Sequence, residues 1–196
     1  LMQWPTPQFG PFGANLLVKD MTLVGAGSGQ TTIVMTGDPY GGIGLKTYGS
    51  ATIKSLTLEG GEAEPIIDCL DATQVSLCDV IVEASSNTDW GLIWGPWSGG
   101  GTSISLYDCA FLHPNPDQFG TGIQLQTCYE TPADVSATLS RTRVQGWGAG
   151  VSYDSGENAC GTTSVTADCD LFSNNTYDVL ETSCSDGSCI SIDLCP

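Results

Sequence analysis

One eight-residue pattern recurs along this chain and limits what it can fold into. Leu-Leu-Val-Lys-Asp-Met-Thr-Leu at 16–23 returns in altered form at 51–58, 75–82, 104–111, 137–144 and 165–172, and in a shortened copy at 190–195. Within a copy, apolar residues fall at positions 1, 3, 6 and 8, as in Ala51, Ile53, Leu56 and Leu58. Inward side chains of a strand recur every second residue, so the step of three between positions 3 and 6 marks a corner. Position 5 sits at that corner and reads Asp20, Ser55, Asp79, Asp108, Arg141 and Cys169. Most of these are short and polar, and such side chains suit a tight bend by bonding to nearby backbone.

Successive copies start 24 to 35 residues apart, a period typical of solenoids, in which one repeat cannot bury its apolar face alone. Helical repeats of that length would show three-and-four spacing and few glycines, whereas this chain alternates β-branched residues and carries 25 glycines. A short apolar strand precedes most copies, for instance Ile43-Gly44-Leu45, Gly91-Leu92-Ile93, Ile123-Gln124-Leu125 and Val151-Ser152-Tyr153. Three strands per turn predict an all-β, right-handed parallel β-helix of about six to seven coils. The 196 residues then form one domain: an extended, proline-rich lead-in over 1–13, then coils over 14–196.

The run Leu23-Val24-Gly25-Ala26-Gly27-Ser28-Gly29-Gln30-Thr31-Thr32-Ile33 resembles the first coil of pectin-lyase-like β-helix proteins, and rungs such as Gly122–Leu125 with Leu139–Val144 are similar to their generic coils. The resemblance implies the fold and leaves function open, because that superfamily spans lyases, hydrolases, adhesins and fibre proteins.

Nine cysteines beside only five basic residues favour an oxidising, extracellular or cell-surface location. The pairing expected from loop positions is Cys128–Cys160, Cys184–Cys189, Cys169–Cys195 and Cys69–Cys78, with Cys109 stacked inside above Val80 as the odd thiol. A formal charge of −17 opposes nucleic acid, anionic membranes and polyuronates, the last unless calcium bridges them. No apolar run approaches the ~18 residues of a membrane span. The chain opens at Leu1, which suggests a mature or trimmed product. Sparse capping at the ends makes end-to-end self-association a candidate partnership.

Candidate chemistry is thin. Asn87-Thr88-Asp89 resembles one motif of polygalacturonases, in which the matching Asp takes part in acid–base hydrolysis, but that family's other signatures are missing. Asn115-Pro116-Asp117 and Asn174-Asn175-Thr176 fill the equivalent turn in later coils, so a recurrent polar turn explains all three. Pectate lyases need a basic residue to take the proton alpha to a uronate. Arg141 and Arg143 are the only arginines, and Arg141 at a corner among aspartates reads as a surface ion pair. His113, the sole histidine, reads as an exposed loop residue. No cofactor is expected, with calcium as the one candidate and no loop of the length its binding requires.

Aromatic residues give the strongest hint. Trp90, Trp94, Trp97, Tyr129, Trp147 and Tyr153 gather in the middle coils near the carboxylates Asp89, Glu130 and Asp154. Exposed rings beside carboxylates hold neutral sugars, although the same rings also suit a satellite core under long loops. The first expectation is therefore a non-catalytic extracellular module, structural, adhesive or fibre-forming. The alternative is a carbohydrate-binding or polysaccharide-degrading protein built on these residues. Ice binding would need a flat face of regularly spaced threonines. By this repeat Thr22 aligns with Thr57, but Ile81, Ala110 and Arg143 continue the column, which argues against that use.

Overall fold

The computed structural model describes residues 16–35, 44–60, 65–86, 88–95, 102–115, 120–126, 135–154, 163–168 and 171–181. These residues form a parallel β-solenoid with no helix among them. The first turn holds β1 (Leu16–Lys19), β2 (Thr22–Val24) and β3 (Thr32–Val34). Two long strands follow, β4 (Leu45–Glu59) and β5 (Ile67–Glu83), each running unbroken through its corners. Shorter strands continue the winding: β6 (Trp90–Trp94), β7 (Thr102–Tyr107) and β8 (Ala110–Leu112), then β9 (Thr121–Gln126), β10 (Val135–Ser140) and β11 (Arg143–Gln145). The last are β12 (Ala149–Asp154), β13 (Thr163–Asp168), β14 (Leu171–Ser173) and β15 (Tyr177–Glu181).

Pairing in parallel register stacks equivalent residues into columns. The first column runs Leu16, Leu45, Ile67, Leu92, Ile123, Val151, Val179. The second runs Leu23, Ile53, Leu77, Leu106, Leu139, Ala167. The third runs Ile33, Leu58, Val82, Phe111, Val144, Phe172. Most of these side chains are fully buried, and together they make one continuous core. Position 6 adds an inner rank of Leu56, Val80, Cys109 and Thr142, each at most 3 % exposed.

Position 5 is a bend in each of the first five copies, although the first copy bends at a different corner of the coil. Asp20, Ser55, Asp79, Asp108 and Arg141 all adopt φ between 47° and 54°. That left-handed conformation costs an L-residue roughly 1–2 kcal/mol. Hydrogen bonds between coils persist through the bend and offset the cost: the Asp108 N–H donates to Ser140 O at 3.1 Å and the Arg141 N–H to Asp168 O at 2.8 Å.

The first copy is placed differently from the expectation. Leu16–Lys19 pairs with Leu45–Tyr48, not with residues 51–54, and Thr22-Leu23-Val24 pairs with Thr52-Ile53-Lys54. Asp20 thus shares a corner with Gly49, at φ +59°, and its carboxylate accepts the Ser50 N–H at 2.9 Å. Met21, expected inside, is 53 % exposed as a result. A strand–corner–strand unit looks alike at either corner of a coil, so apolar spacing alone could not tell them apart.

Cys69 and Cys78 are free thiols, which corrects the expected Cys69–Cys78 bridge. Cys69 points into the core beside Trp94, whereas Cys78 lies half-buried on the second sheet between Lys54 and Tyr107. One strand carries both, but on different sheets and opposite faces. Cys109 is a buried free thiol, as expected, and its Sγ–H donates to Tyr107 O at 3.3 Å. Burial pushes its pKa up to about 11, so it stays protonated. Cys128, Cys160, Cys169, Cys184, Cys189 and Cys195 lie outside the described residues, as does the 1–13 lead-in.

Candidate functional site

The middle coils hold their aromatic rings inward. Trp94 is fully buried beside Cys69 and Leu125, and its indole N–H has no hydrogen-bond partner among the described residues. Trp147 is 1 % exposed. Its Nε1–H donates to Phe111 O at 3.2 Å, and its backbone N–H donates to Asn175 Oδ1 at 2.9 Å. Asn175 also donates from Nδ2 to Val144 O at 3.0 Å, so one turn side chain ties two coils together. Neither tryptophan offers a face to a ligand, which corrects the expectation that both line a sugar platform. They are core residues.

A signal for this burial stood in the sequence unread. Gly91, Gly122 and Gly150 stack as the second residue of successive first strands. A Cβ on Gly91 would lie 2.6 Å from Gly122 O and 3.1 Å from the Trp147 ring, and one on Gly122 would lie 2.6 Å from Val144 Cγ1. The glycine column is the gap into which Trp147 and Phe111 fit.

His113 is also internal, at 7 % exposure, which corrects its reading as an exposed loop residue. Its ring centroid lies 4.9 Å from that of Trp147, and Nδ1 meets the Asn115 backbone at 3.0–3.2 Å. The Trp147 ring and the end of β8 shape this corner, and the imidazole fills it.

Asp89 and Trp90 remain at the surface, Asp89 exposed and Trp90 half-buried. Asp89 ends a local turn in which the Thr88 hydroxyl, itself buried, accepts the Ser85 N–H at 3.1 Å. The Asp89 carbonyl accepts the Thr121 N–H at 2.8 Å, so this polar turn stitches coils together. Asp154 ends β12, opposite Gln126, and only its backbone and that of Tyr153 are described. By register, Asp89 and Asp154 stand at opposite ends of the first sheet, about 20 Å apart along the strand direction. Glycosidase carboxylates work at separations no greater than about 9.5 Å. Trp97, Tyr129 and Glu130 lie outside the described residues.

The corner column concentrates charge. Arg141 grips Asp108 with Nε–Oδ1 and NH2–Oδ2 bonds of 2.6 Å each, and its guanidinium lies 4.1 Å from the Tyr107 ring centroid. The Arg141 bonds hold the Asp108 carboxyl below the usual carboxylate range, and the same pairing keeps the guanidinium charged. A guanidinium so held is no proton acceptor. Further along, the Ser28 hydroxyl donates to Asp79 Oδ1 at 2.8 Å, and Lys46 lies 3.5 Å from the buried Asp68. Among the described residues no group of three or more His, Cys, Asp or Glu side chains is arranged to hold a metal.

The outer face of the second sheet, between the two corners, carries two hydroxyl-rich ranks. One runs Ser50, Gln74, Ser103, Ser136, Ser164. The other runs Thr22, Thr52, Ser76, Ser105, Thr138, Thr166. Neither rank contains a charged residue, although the chain as a whole carries 22 acidic residues. The corrected register reveals this column, since Thr22 sits over Thr52 and not over Thr57. No helix among the described residues is long and apolar enough to cross a membrane. Comparison with known proteins finds no matching family model, no matching curated protein and no matching solved structure.

Proposed function

We propose that this protein is a non-catalytic extracellular β-solenoid module, structural or adhesive, related in architecture to the pectin-lyase-like superfamily, which works through its flat sheet faces. The observation that carries the reading is the separation of Asp89 and Asp154, two of the proposed carboxylates, by about 20 Å along one sheet. Two further findings support it. The rings on which a sugar cleft would be built, Trp94 and Trp147, belong to the core. Arg141, the base a lyase would need, is consumed in a bidentate pair with Asp108. The extracellular setting rests on the cysteine-rich, lysine-poor composition.

A glycan-binding alternative keeps one foothold, the exposed Asp89 beside the half-buried Trp90. A reducing-sugar assay over neutral and acidic polysaccharides, with and without calcium, separates the two. Release of sugar ends that is abolished by Asp89→Asn overturns the non-catalytic reading. Electron microscopy of the purified protein reports whether the module also associates end to end.

A further inference from the structure

We propose that Asn174, in the turn between β14 and β15, is an attachment site for an N-linked oligosaccharide. This rests on the reading of the chain as an extracellular module and adds a covalent modification to it.

The run Asn174-Asn175-Thr176 has the acceptor pattern, an asparagine with a hydroxyl residue two positions on and no proline between. No other asparagine in the chain has Ser or Thr at that distance. The earlier polar turns lack it: Asn87-Thr88-Asp89 ends on a carboxylate, and Asn115-Pro116-Asp117 has both a proline and a carboxylate. A recurrent turn therefore does not account for Thr176.

The structure separates the roles of the three side chains. Asn175 is occupied by the fold, since its Oδ1 accepts the Trp147 N–H and its Nδ2 donates to Val144 O and to Asp178 Oδ1. Asn174 and Thr176 are both exposed, and neither side chain makes a hydrogen bond among the described residues. The threonine of the first polar turn behaves differently: Thr88 is buried, and its hydroxyl accepts the Ser85 N–H. Hydrogen bonds between coils place Asn174 in a column with Met35, Gly60, Ala84, His113 and Gly146. Met35 and His113 point inward, whereas Asn174, at φ 55°, presents its amide to solvent. Asparagine tolerates that left-handed conformation better than most residues do.

The surroundings leave room for the product. A glycan is bulky and hydrated and needs an open surface. Among the described residues β14 pairs only with β11, and Thr176, Tyr177 and Asp178 beside the acceptor are all exposed. A sugar chain at Asn174 displaces no packed side chain, and it would lie next to Tyr177, an apolar ring left 56 % exposed. The co-substrate is an oligosaccharide carried on a lipid diphosphate. A bond forms between Asn174 Nδ2 and C1 of the first sugar as the C1–O bond to the diphosphate breaks. The amide gives up one proton, the lipid diphosphate leaves with the electron pair, and nothing is oxidised or reduced. In this step the chain is the acceptor and a separate transferase is the catalyst.

The test takes the full chain as secreted by its native source, with variants of it secreted by a eukaryotic host. The native protein should be heavier than its polypeptide alone. Peptide N-glycosidase should remove the excess and leave aspartate at position 174 on peptide mapping. Thr176→Ala and Asn174→Gly should lose the adduct completely, and Thr176→Ser should keep it. Glycine suits a φ of 55°, so the turn should survive its introduction, which circular dichroism checks. Unmodified Asn174 in the native secreted protein, or an adduct that survives Thr176→Ala, overturns the proposal. Recovery of the native protein only from inside the cell overturns the extracellular reading and the proposal with it. Polysaccharide cleavage by the glycosylated protein would sink the non-catalytic reading alone, so the failures are distinguishable.

Discussion

Arg141 and Asp108 stand at the same corner on adjacent coils, each with positive φ, and join through two 2.6 Å hydrogen bonds while the guanidinium covers Tyr107. By register Asp108 lies between Asp79 on one coil and Arg141 on the next, so the arginine offsets the like charge that stacking sets beside it. The long side chain at this position works as a clamp between coils.

The clamp predicts a pH dependence. Arg141 lowers the pKa of Asp108 in the folded state, so the pairing contributes stability above the ordinary carboxylate pKa of about 3.9 and loses it as pH falls through the lower folded value. The difference in Tm between wild type and Asp108→Asn should be largest near neutral pH, shrink at acidic pH and shrink in high salt, because the pair is exposed. A difference that grows on acidification would contradict the assignment.

Ser55 tests the corner itself. Its φ of 54° is one a β-branched residue resists. Ser55→Val should lower stability by about 1–2 kcal/mol or more. Ser55→Gly should stay within about 1 kcal/mol of wild type, because relief of strain and greater freedom of the unfolded chain oppose one another. Urea titration at constant slope measures both.

Trp147 tests the core. Truncation to alanine should cost about 3–5 kcal/mol, as for other large buried aromatics. In the native protein its fluorescence, with that of Trp94, should be blue-shifted and shielded from iodide. Addition of oligosaccharide should leave that buried component unchanged. A ligand-induced shift lost in Trp147→Phe would return this ring to the binding surface.

The thiols give a fourth check. Under non-reducing conditions, with peptide mapping to separate the sites, Cys78 should react with a thiol reagent in the folded protein. Cys69 and Cys109 should react only on unfolding, since burial both shields them and holds them protonated. Recovery of a Cys69–Cys78 disulfide peptide would contradict the structure.

Much of the fold was legible in the residues because a β-solenoid writes its core locally. Alternation at Ala51-Thr52-Ile53 and the step of three across Ser55 are properties of a few consecutive residues, and they specify strands, corners and the inner rank holding Cys109. The candidate site was less legible. Asp89 reads correctly as a turn residue, but for Trp94 and Trp147 the residues left two readings open, a sugar platform and a core, and burial decides for the core. Whether an aromatic ring faces in depends on room left by other coils. Here Gly91, Gly122 and Gly150, far apart in sequence, make that room together.

The amino-acid sequence by itself determined that this chain winds parallel strands around one apolar core, with tight corners at Ser55, Asp79, Asp108 and Arg141. Tertiary structure decided the register between coils. Loops of unequal length separate the copies, and period-two alternation is unchanged when a strand slides by two residues or moves to the next corner. Only hydrogen bonding across the rungs selects one alignment. That selection set Thr22 over Thr52, opened the hydroxyl ranks from Thr22 to Thr166, and parted Asp89 from Asp154.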